Sequence, residues 1–257
     1  MNTIADLATE LEAARRGRYA IQTRRGAEGA LSLESAYELG RGLERERVSA
    51  GWRPVGWKLG FTNQALWSRL GLDRPICARI YRETLCAGSL AAAELVQPRI
   101  EPEVVLGIGA DLAQGVGAHE IAAAVEWAAA GLEVVQCHFD GWEMTAAEAV
   151  ADAGLHAGLA IGPRTEVDAA AVRGLAAASC ELVRDGVPVA TGYGSDVLGG
   201  PLDALRWLVR GLPGGLRAGE IVTTGTLTEA LPVEPGQRWQ HRLTAAIGLE
   251  PVELRVR

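Results

Sequence analysis

The chain has 257 residues, of which 48% are hydrophobic and 22% charged, a composition that excludes an intrinsically disordered protein. Its formal net charge of −7 argues against nucleic-acid and anionic-membrane partners, because both attract basic proteins. No apolar run approaches the roughly 20 residues of a membrane helix, so we expect no membrane segment.

The cysteines indicate where the protein works. They form no CxxC pair, which argues against a zinc ribbon or a thioredoxin-type motif. A chain of this length buries enough surface to fold without disulfides, so four scattered thiols indicate a reducing compartment. The N-terminal segment carries acidic residues and is unlike a signal peptide. The sequence therefore predicts a cytoplasmic protein.

Helices are predicted in four places. Apolar residues recur at the helical period over residues 2–16 and again over 32–49, where Ser32 stands at the N-cap position. Two further helices are predicted over 118–130 and 201–211.

From residue 52 onward the pattern changes to strands. Short runs rich in Val, Ile and Leu are separated by Gly and Pro, and Asp185-Gly186 predicts a hairpin turn. We therefore expect an N-terminal helical region, residues 1–51, and a strand-rich catalytic domain, residues 52–257.

Glu101 and Glu103 occupy alternate positions of a strand-like segment, PRIEPEVVLGIG. Alternate side chains of a strand share a face, so the two carboxylates repel each other unless a cation lies between them. A hard divalent ion with oxygen ligands would hold them. Two solvated glutamates on an edge strand, where Pro102 is also tolerated, are the alternative.

Glu133 strengthens the metal interpretation. It lies in a second apolar strand pattern, GLEVVQCHF, where an unpaired carboxylate is costly. Three carboxylates around Mg²⁺ or Mn²⁺ leave coordination positions open for a bidentate substrate. Iron and zinc are less favoured by a set made only of oxygens.

Lys58 lies in VGWKLGF, between Trp57 and Leu59. One interpretation is a side chain at a sheet edge that extends its ammonium into solvent. The other is a functional ammonium, whose pKa falls with burial and rises near carboxylates.

Six segments resemble a known family when taken in chain order. They are GWKLGFTN, PRIEPEVVLGIG, GLEVVQCHFDGW, VADAGLHAGLAIG, ATGYGSDVLGGPLDALRWL and AGEIVTTGTLTEALPVEPGQ. Together they resemble the 2-keto-4-pentenoate hydratase and 4-oxalocrotonate decarboxylase family of the fumarylacetoacetate hydrolase superfamily. The resemblance covers nearly the whole chain. It implies an α/β (α+β) fold, a mixed β-roll with an N-terminal helical region, and a homo-oligomer.

The resemblance also implies a chemistry. Glu101, Glu103 and Glu133 match the metal-binding glutamates of the family, and Lys58 matches its active-site lysine. The implied substrate is a small 2-oxo acid that chelates Mg²⁺ or Mn²⁺, with the metal stabilising an enolate. Lys58 would orient the substrate carboxylate or transfer a proton.

The implied reaction is the addition of water to an unsaturated 2-oxo acid of the 2-hydroxydienoate type, in aromatic-compound catabolism. Hydrolytic C–C cleavage of an acylpyruvate such as maleylpyruvate is one alternative, and decarboxylation of 4-oxalocrotonate is another. A non-catalytic assembly partner is a further alternative, against which the intact set of three glutamates and one lysine argues.

Two positions depart from the hydratases. Ile76 stands where many of them carry an aspartate that is a candidate acid or base, and Asp73 is near but not equivalent. QCHFDGW follows Glu133 where hydratases often have Asp-Ser-Arg, which makes His138 a candidate general base. Packing against Trp142 and a bond to the backbone are the alternatives for His138.

The other histidines are predicted to play no part in the chemistry: His156 is expected to be structural, and His119 and His241 to lie on the surface.

By the resemblance, the TTGTL segment lines the substrate pocket. Its candidate substrate-binding residues are Thr224, Gly225 and Thr226. The β propensity of threonine by itself also explains a threonine-rich strand.

Overall fold

Two helices begin the chain in this computed structural model, which describes residues 4–24, 26, 31–64, 67 and 72–257. They are α1 (Ile4–Gly17) and α2 (Leu33–Ser49). Ser32 caps α2 as predicted, because its hydroxyl accepts a hydrogen bond from the backbone N–H of Ser35 at 3.1 Å. Within the described ranges, no helix combines the length and the apolar character needed to cross a membrane.

Thirteen strands follow in the part of the chain that the structure describes. They are β1 (Pro54–Gly60), β2 (Ile76–Tyr81), β3 (Ser89–Leu90), β4 (Arg99–Ile108), β5 (Val125–Val135), β6 (His156–Ile161), β7 (Thr165–Glu166), β8 (Ser179–Arg184), β9 (Val187–Tyr193), β10 (Ile221–Thr226), β11 (Leu231–Pro232), β12 (Arg238–Thr244) and β13 (Val252–Val256). The helices between them are α3 (Ala118–Ala123), α4 (Ala146–Ala151), α5 (Ala169–Gly174) and α6 (Pro201–Gly211).

The strands form two sheets. The larger has eight strands in the order β2-β1-β10-β4-β5-β6, with β11 paired to β4 and β7 paired to β5. The smaller has the order β3-β13-β12-β8-β9. The large sheet is mixed, since β1 and β10 pair in parallel whereas β10, β4, β5 and β6 pair antiparallel. The predicted α/β (α+β) class is confirmed.

The two faces of the large sheet have different surroundings. One face packs on the small sheet and on α3, α5 and α6, and residues such as Leu106 and Trp239 are fully buried in this main core. The opposite face carries Lys58 on β1, Thr223 on β10 and Val105 on β4, which are paired in register. Because cross-strand partners point to the same face, the side chains of these strands can build one site there.

The N-terminal helices pack into a second core. Leu7 and Leu11 of α1 and Ala36 of α2 lie against Phe139, which follows β5, and Val150 of α4. This shared core joins the N-terminal helices to the rest of the protein, and the predicted division into residues 1–51 and 52–257 stays a prediction.

The predicted helix over 118–130 is wrong beyond Ala123. There α3 ends, β5 begins at Val125, and Ala128, Ala129 and Ala130 are buried strand residues paired with β4. Small side chains suit a strand that is covered on both faces, and the ladder with β4 overrides the helical preference of alanine.

The predicted helix over 201–211 and the hairpin at Asp185-Gly186 are both found. The two turn residues have φ of 52° and 86°, as a two-residue turn between twisted strands requires. The sequence patterns miss α4 and α5, because six residues are too few to show a helical period. Their side-chain caps, Thr145 and Asp168, are the signals that the sequence offers.

Candidate functional site

Three glutamates from two neighbouring strands converge on the face opposite the main core. Glu101 and Glu133 are direct cross-strand partners, and Glu103 lies two residues further along β4, on the same face. One carboxylate oxygen from each residue lies within 4.8 Å of the other two. Glu103 and Glu133 are fully buried, and Glu101 is partly exposed. A single divalent ion can bridge a group of this size.

The electrostatics of the cluster fit a bound cation. Burial raises the pKa of Glu101 and that of Glu133 to about 7, although the nearby ammonium of Lys58 opposes the change. Burial and the charge of Glu133 raise the pKa of Glu103 well above its ordinary value. Among the described residues, Glu103 Oε1 and Glu133 Oε2 are buried without a hydrogen-bond partner. A divalent cation relieves both conflicts, and three hard oxygens are the donors that Mg²⁺ and Mn²⁺ prefer.

Lys58 is the only lysine of the chain, and it is 2% exposed. Its Nζ donates to the carbonyl oxygen of Gly154 at 3.1 Å and lies 3.5 Å from Glu133 Oε1. Burial by itself lowers the pKa of Lys58, but the three carboxylates outweigh it and raise the pKa above its ordinary value. The interpretation of Lys58 as a solvated edge residue is therefore wrong: it is a buried ammonium beside the glutamates.

His156 fixes Glu133 from the other side. Its Nδ1 lies 2.8 Å from Glu133 Oε1 and its Nε2 lies 2.8 Å from Thr84 Oγ1. Burial lowers the pKa of His156 to about 3. The Thr84 hydroxyl also donates to the carbonyl oxygen of Tyr81 at 2.8 Å, so the ring of His156 is held between a fixed hydroxyl and Glu133. Such a bond orients a metal-binding carboxylate.

Gly225 fixes Glu103. The backbone N–H of Gly225 donates to Glu103 Oε2 at 2.8 Å. Gly225 has φ of +104°, and a Cβ on it would lie 1.9 Å from Thr62 Oγ1, so only glycine fits there.

Two hydroxyls at the site have no partner among the described residues. Thr62 Oγ1, next to Gly225, and Thr223 Oγ1, on the face that carries Lys58, are both buried. Of six such buried side-chain atoms in the described ranges, these two and the two glutamate oxygens belong to this site. Unpaired buried polar atoms are costly, so their concentration here indicates a place where a ligand binds.

Known hydratases are similar to this chain over most of its length. The chain is 32% identical over 219 residues to 2-hydroxyhexa-2,4-dienoate hydratase of Comamonas testosteroni, which is 81% of this chain and 81% of the relative. It is also 32% identical over 247 residues to a 2-keto-4-pentenoate hydratase of Paraburkholderia phymatum, covering 91% of this chain and 90% of the relative.

A solved structure of similar fold is 4-oxalocrotonate decarboxylase from Pseudomonas putida G7, complexed with magnesium and adipate. The two share 25% sequence identity and a TM-score of 0.88, over 99% of this chain and 97% of that chain. The family model described as fumarylacetoacetate (FAA) hydrolase C-terminal matches residues 84–254. The chain belongs to the fumarylacetoacetate hydrolase family. The resemblance predicted from the six sequence segments, and the β-roll that it implies, are confirmed.

In this member of the fumarylacetoacetate hydrolase family, His138 does not join the glutamates. Its Nδ1 lies 2.8 Å from Asp152 Oδ1, and its backbone N–H donates to Asp152 Oδ2 at 2.9 Å. Within the described residues, no hydrogen bond or ion pair links His138 to the three glutamates. The predicted role as a general base therefore has no support from this geometry and stays a prediction. The buried carboxylate that binds the ring lies 14 residues further along the chain, and no local pattern indicates the contact.

The predicted substrate-binding threonines use their hydroxyls on the backbone. Thr224 Oγ1 donates to the carbonyl oxygen of Val104 at 3.2 Å, and Thr226 Oγ1 donates to that of Thr228 at 2.8 Å. Their role in substrate binding stays a prediction. The neighbouring Thr223 has a buried hydroxyl with no hydrogen-bond partner among the described residues, and it pairs with Lys58 in register.

Ile76 places an apolar side chain at the position where many hydratases carry an aspartate. Ile76 begins β2 and is buried in the second core. Asp73 is exposed and forms an ion pair with Arg74 at 2.8 Å. Neither residue offers a free carboxylate to the glutamates.

The remaining histidines give one correction. His119 is exposed as predicted. His241 is wrongly predicted to lie on the surface: it is fully buried, and its Nδ1 lies 3.0 Å from the carbonyl oxygen of Gly131. Burial lowers its pKa to about 4. Its position on β12 faces β5 across the main core, which a strand pattern cannot reveal without knowledge of the second sheet.

A cavity of about 730 Å³ lies beside the site, between α2, the edge strand β2 and α6. Its lining includes Ala78 and Ala153 but none of the three glutamates. The candidate site is therefore identified by its chemistry and not by the size of the adjacent cavity.

Proposed function

We propose that this protein is a divalent-metal-dependent hydratase that adds water to a small unsaturated 2-oxo acid of the 2-hydroxydienoate type, in aromatic-compound catabolism. The observation that carries the proposal is the group of three buried or partly buried glutamates, with two unpaired oxygens, beside the only lysine of the chain. The hydratase names of relatives that are 32% identical over at least four fifths of the chain support the reaction class.

Glu101, Glu103 and Glu133 would hold Mg²⁺ or Mn²⁺. The magnesium and the calcium named for two structures of the related decarboxylase support a divalent ion. When bound, the cation supplies Lewis-acid stabilisation of negative charge on the substrate. Gly225 and His156 keep two of the carboxylates in position for it.

Lys58 would contact the substrate directly. An ammonium has three N–H bonds, of which one is used by Gly154 and one points to Glu133. The third is available to bind the substrate carboxylate or to deliver a proton to the carbon chain. Lys58 is itself only 2% exposed, so bulk water does not compete for this ammonium.

Decarboxylation of 4-oxalocrotonate is the second candidate reaction. The decarboxylase structure matches 99% of this chain with a TM-score of 0.88. Ile76 replaces the aspartate of many hydratases, and the ring of His138 binds Asp152. Both observations favour a reaction that needs no residue to activate water.

Product analysis by NMR separates these reactions. The Mn²⁺-loaded protein is incubated with 2-hydroxydienoates, 4-oxalocrotonate and maleylpyruvate. A chelating resin then removes the metal, and NMR spectra of the products are recorded. We expect hydration products, and the Glu103→Gln variant serves as the metal-site control. Loss of CO₂ with no hydration would support the decarboxylase instead. Release of pyruvate from maleylpyruvate would support C–C hydrolysis, and no turnover of any 2-oxo acid would overturn the proposal.

The proposal includes a homo-oligomer in the cytoplasm. The four cysteines are all free thiols, which supports a reducing compartment. Light scattering at several concentrations tests the oligomer, and a monomer at every concentration would contradict it.

A further inference from the structure

The Gly154 carbonyl, which accepts a hydrogen bond from the Lys58 ammonium, belongs to a strained turn. Ala153, Gly154 and Leu155 have φ of 56°, 64° and 66°, so three consecutive residues adopt the left-handed conformation. Residues with a side chain rarely adopt it. Such a turn persists only when the surrounding structure holds it, and strain of this kind is concentrated at functional sites.

The turn fits closely against the lysine. A Cβ on Gly154 would lie 2.5 Å from Ala78 Cβ and 3.5 Å from Lys58 Cδ, so the position has no room for a larger residue. The backbone N–H of Leu155 donates to the carbonyl oxygen of Asp152 at 2.9 Å, which closes the turn. The location of the Gly154 carbonyl therefore depends on the location of Asp152.

Asp152 is in turn held from two directions. The side chain of Asp152 is 1% exposed. Its carboxylate accepts a hydrogen bond from the backbone N–H of His138 at 2.9 Å and lies 2.8 Å from Nδ1 of the His138 ring. Arg15 of α1 donates to the same carboxylate at 3.3 Å and to the carbonyl oxygen of Ala151 at 2.8 Å. A buried carboxylate with charged and neutral donors on both sides is rigidly placed.

We propose that Asp152, with Arg15 and His138, positions Lys58 through the strained turn. Arg15 and His138 fix Asp152. The turn that follows presents the Gly154 carbonyl, and this carbonyl holds the ammonium 3.5 Å from Glu133. His138 is on this account a positioning residue and not a base. The N-terminal helix α1 thereby acts on the catalytic lysine without touching it. The consequence for turnover rests on the proposed function, whereas the positioning of the ammonium does not.

A single lysine makes the positioning directly measurable. Protein grown on lysine labelled with ¹⁵N at Nζ gives one side-chain lysine signal, that of Lys58. The spectra are recorded with saturating Mg²⁺ for the wild type, Arg15→Met and Arg16→Met. Arg16 is the matched control, because it is the next residue of the same helix and its side chain is 75% exposed.

We expect Arg15→Met to shift the Lys58 Nζ signal and Arg16→Met to leave it in place. Identical spectra for the two variants would overturn the proposal. If Arg15→Met does not fold, His138→Ala and His138→Asn replace it, since asparagine keeps an N–H near the position of Nδ1. Under the proposal alanine shifts the signal and asparagine restores it, whereas equal spectra for both contradict it.

Measurement of turnover is the second test of the positioning proposal. Misplacement of a catalytic group lowers rates by about 10- to 100-fold, so we expect kcat per occupied metal site to fall by that factor in Arg15→Met. Calorimetry should give an unchanged Mn²⁺ affinity, whereas a merely structural defect lowers the number of metal sites per chain. If the wild type turns over no 2-oxo acid, the proposed function fails, and the Lys58 signal still decides the positioning.

Discussion

Glu101 and Glu133 stand directly opposite each other on the paired strands β4 and β5. Like charges at opposed positions of an antiparallel pair destabilise the sheet, because the Cβ atoms are only about 5 Å apart. Glu103 adds a third carboxylate on the same face. The arrangement costs stability in the metal-free protein and becomes favourable when a divalent cation is bound, so metal binding and stability are linked.

Metal-free stability should therefore fall as the pH rises. The pKa of Glu101 and that of Glu133 are raised to about 7 in the folded protein, against about 4.3 for glutamate in an unfolded chain. Between these values the folded state binds more protons, so the free energy of unfolding from these groups declines as pH rises through the window and levels off above about pH 7. Urea unfolding in EDTA from pH 5 to 8 measures this decline of the free energy of unfolding. Glu133→Gln should make the free energy depend less steeply on pH. An unchanged pH dependence in that variant would assign the decline to other groups.

The same pKa values predict that metal binding releases protons. Below about pH 7 the cation competes with protons for Glu101 and Glu133, so Mn²⁺ affinity should rise with pH through this range. Calorimetry at pH 6 in two buffers of different ionisation enthalpy counts the released protons. The same heat in both buffers would show that the carboxylates are already charged.

Glu103→Gln should abolish Mn²⁺ binding and leave the metal-free fold intact. The glutamine keeps an oxygen near the Gly225 N–H but removes the negative charge that is repelled by Glu133. Unfolding in EDTA should therefore occur at a temperature equal to or higher than that of the wild type. Glu126→Gln is the matched control, since Glu126 is an exposed residue of β5. Calorimetry and thermal unfolding check both variants. Retained Mn²⁺ binding in Glu103→Gln would remove it from the metal site.

Much of the site follows from local patterns in the sequence. Glu101 and Glu103 alternate along one strand, and Glu133 interrupts an apolar strand, so spacing and burial cost indicate all three without a structure. Lys58 was ambiguous because its alternatives depend on whether β1 is an edge strand, and pairing of β1 with both β2 and β10 decides that.

The supporting contacts were not predictable because they are long-range. The Gly154 carbonyl lies 96 residues from Lys58 in the chain, and Asp152 meets α1 across 137 residues. His156 stands in an apolar strand pattern, GLHAGLAIG, where a buried polar side chain needs a partner, but only the fold shows that the partner is Glu133. The Ala-rich start of β5 has the local pattern of a helix, because its pairing with β4 cannot be seen in the sequence.

Lys58→Met should lower kcat by orders of magnitude while the protein still binds Mn²⁺. Methionine fills the buried volume but offers no N–H to Gly154 or to a substrate. Lys58→Arg keeps the charge and should not restore activity, because the planar guanidinium cannot replace a compact ammonium in a closed site. Steady-state kinetics with calorimetry of Mn²⁺ measure both properties. A rate near that of the wild type in Lys58→Met would exclude the lysine from the mechanism.

Gly225→Ala should weaken metal binding more than its backbone strain alone explains. Gly225 and Gly236 both have left-handed φ, +104° and +95°, so alanine costs about 1–3 kcal/mol of backbone strain at either position. Gly236 has nothing within 4 Å of the added Cβ, whereas Gly225 would place it 1.9 Å from Thr62 Oγ1. We expect relief of this clash to displace Gly225 and so to weaken the bond from its N–H to Glu103. We therefore expect both variants to lose stability in thermal unfolding, and only Gly225→Ala to lose Mn²⁺ affinity by tenfold or more, roughly the effect of one charge-assisted hydrogen bond. Equal Mn²⁺ affinities in the two alanine variants would show that the loop after β10 does not support the metal site.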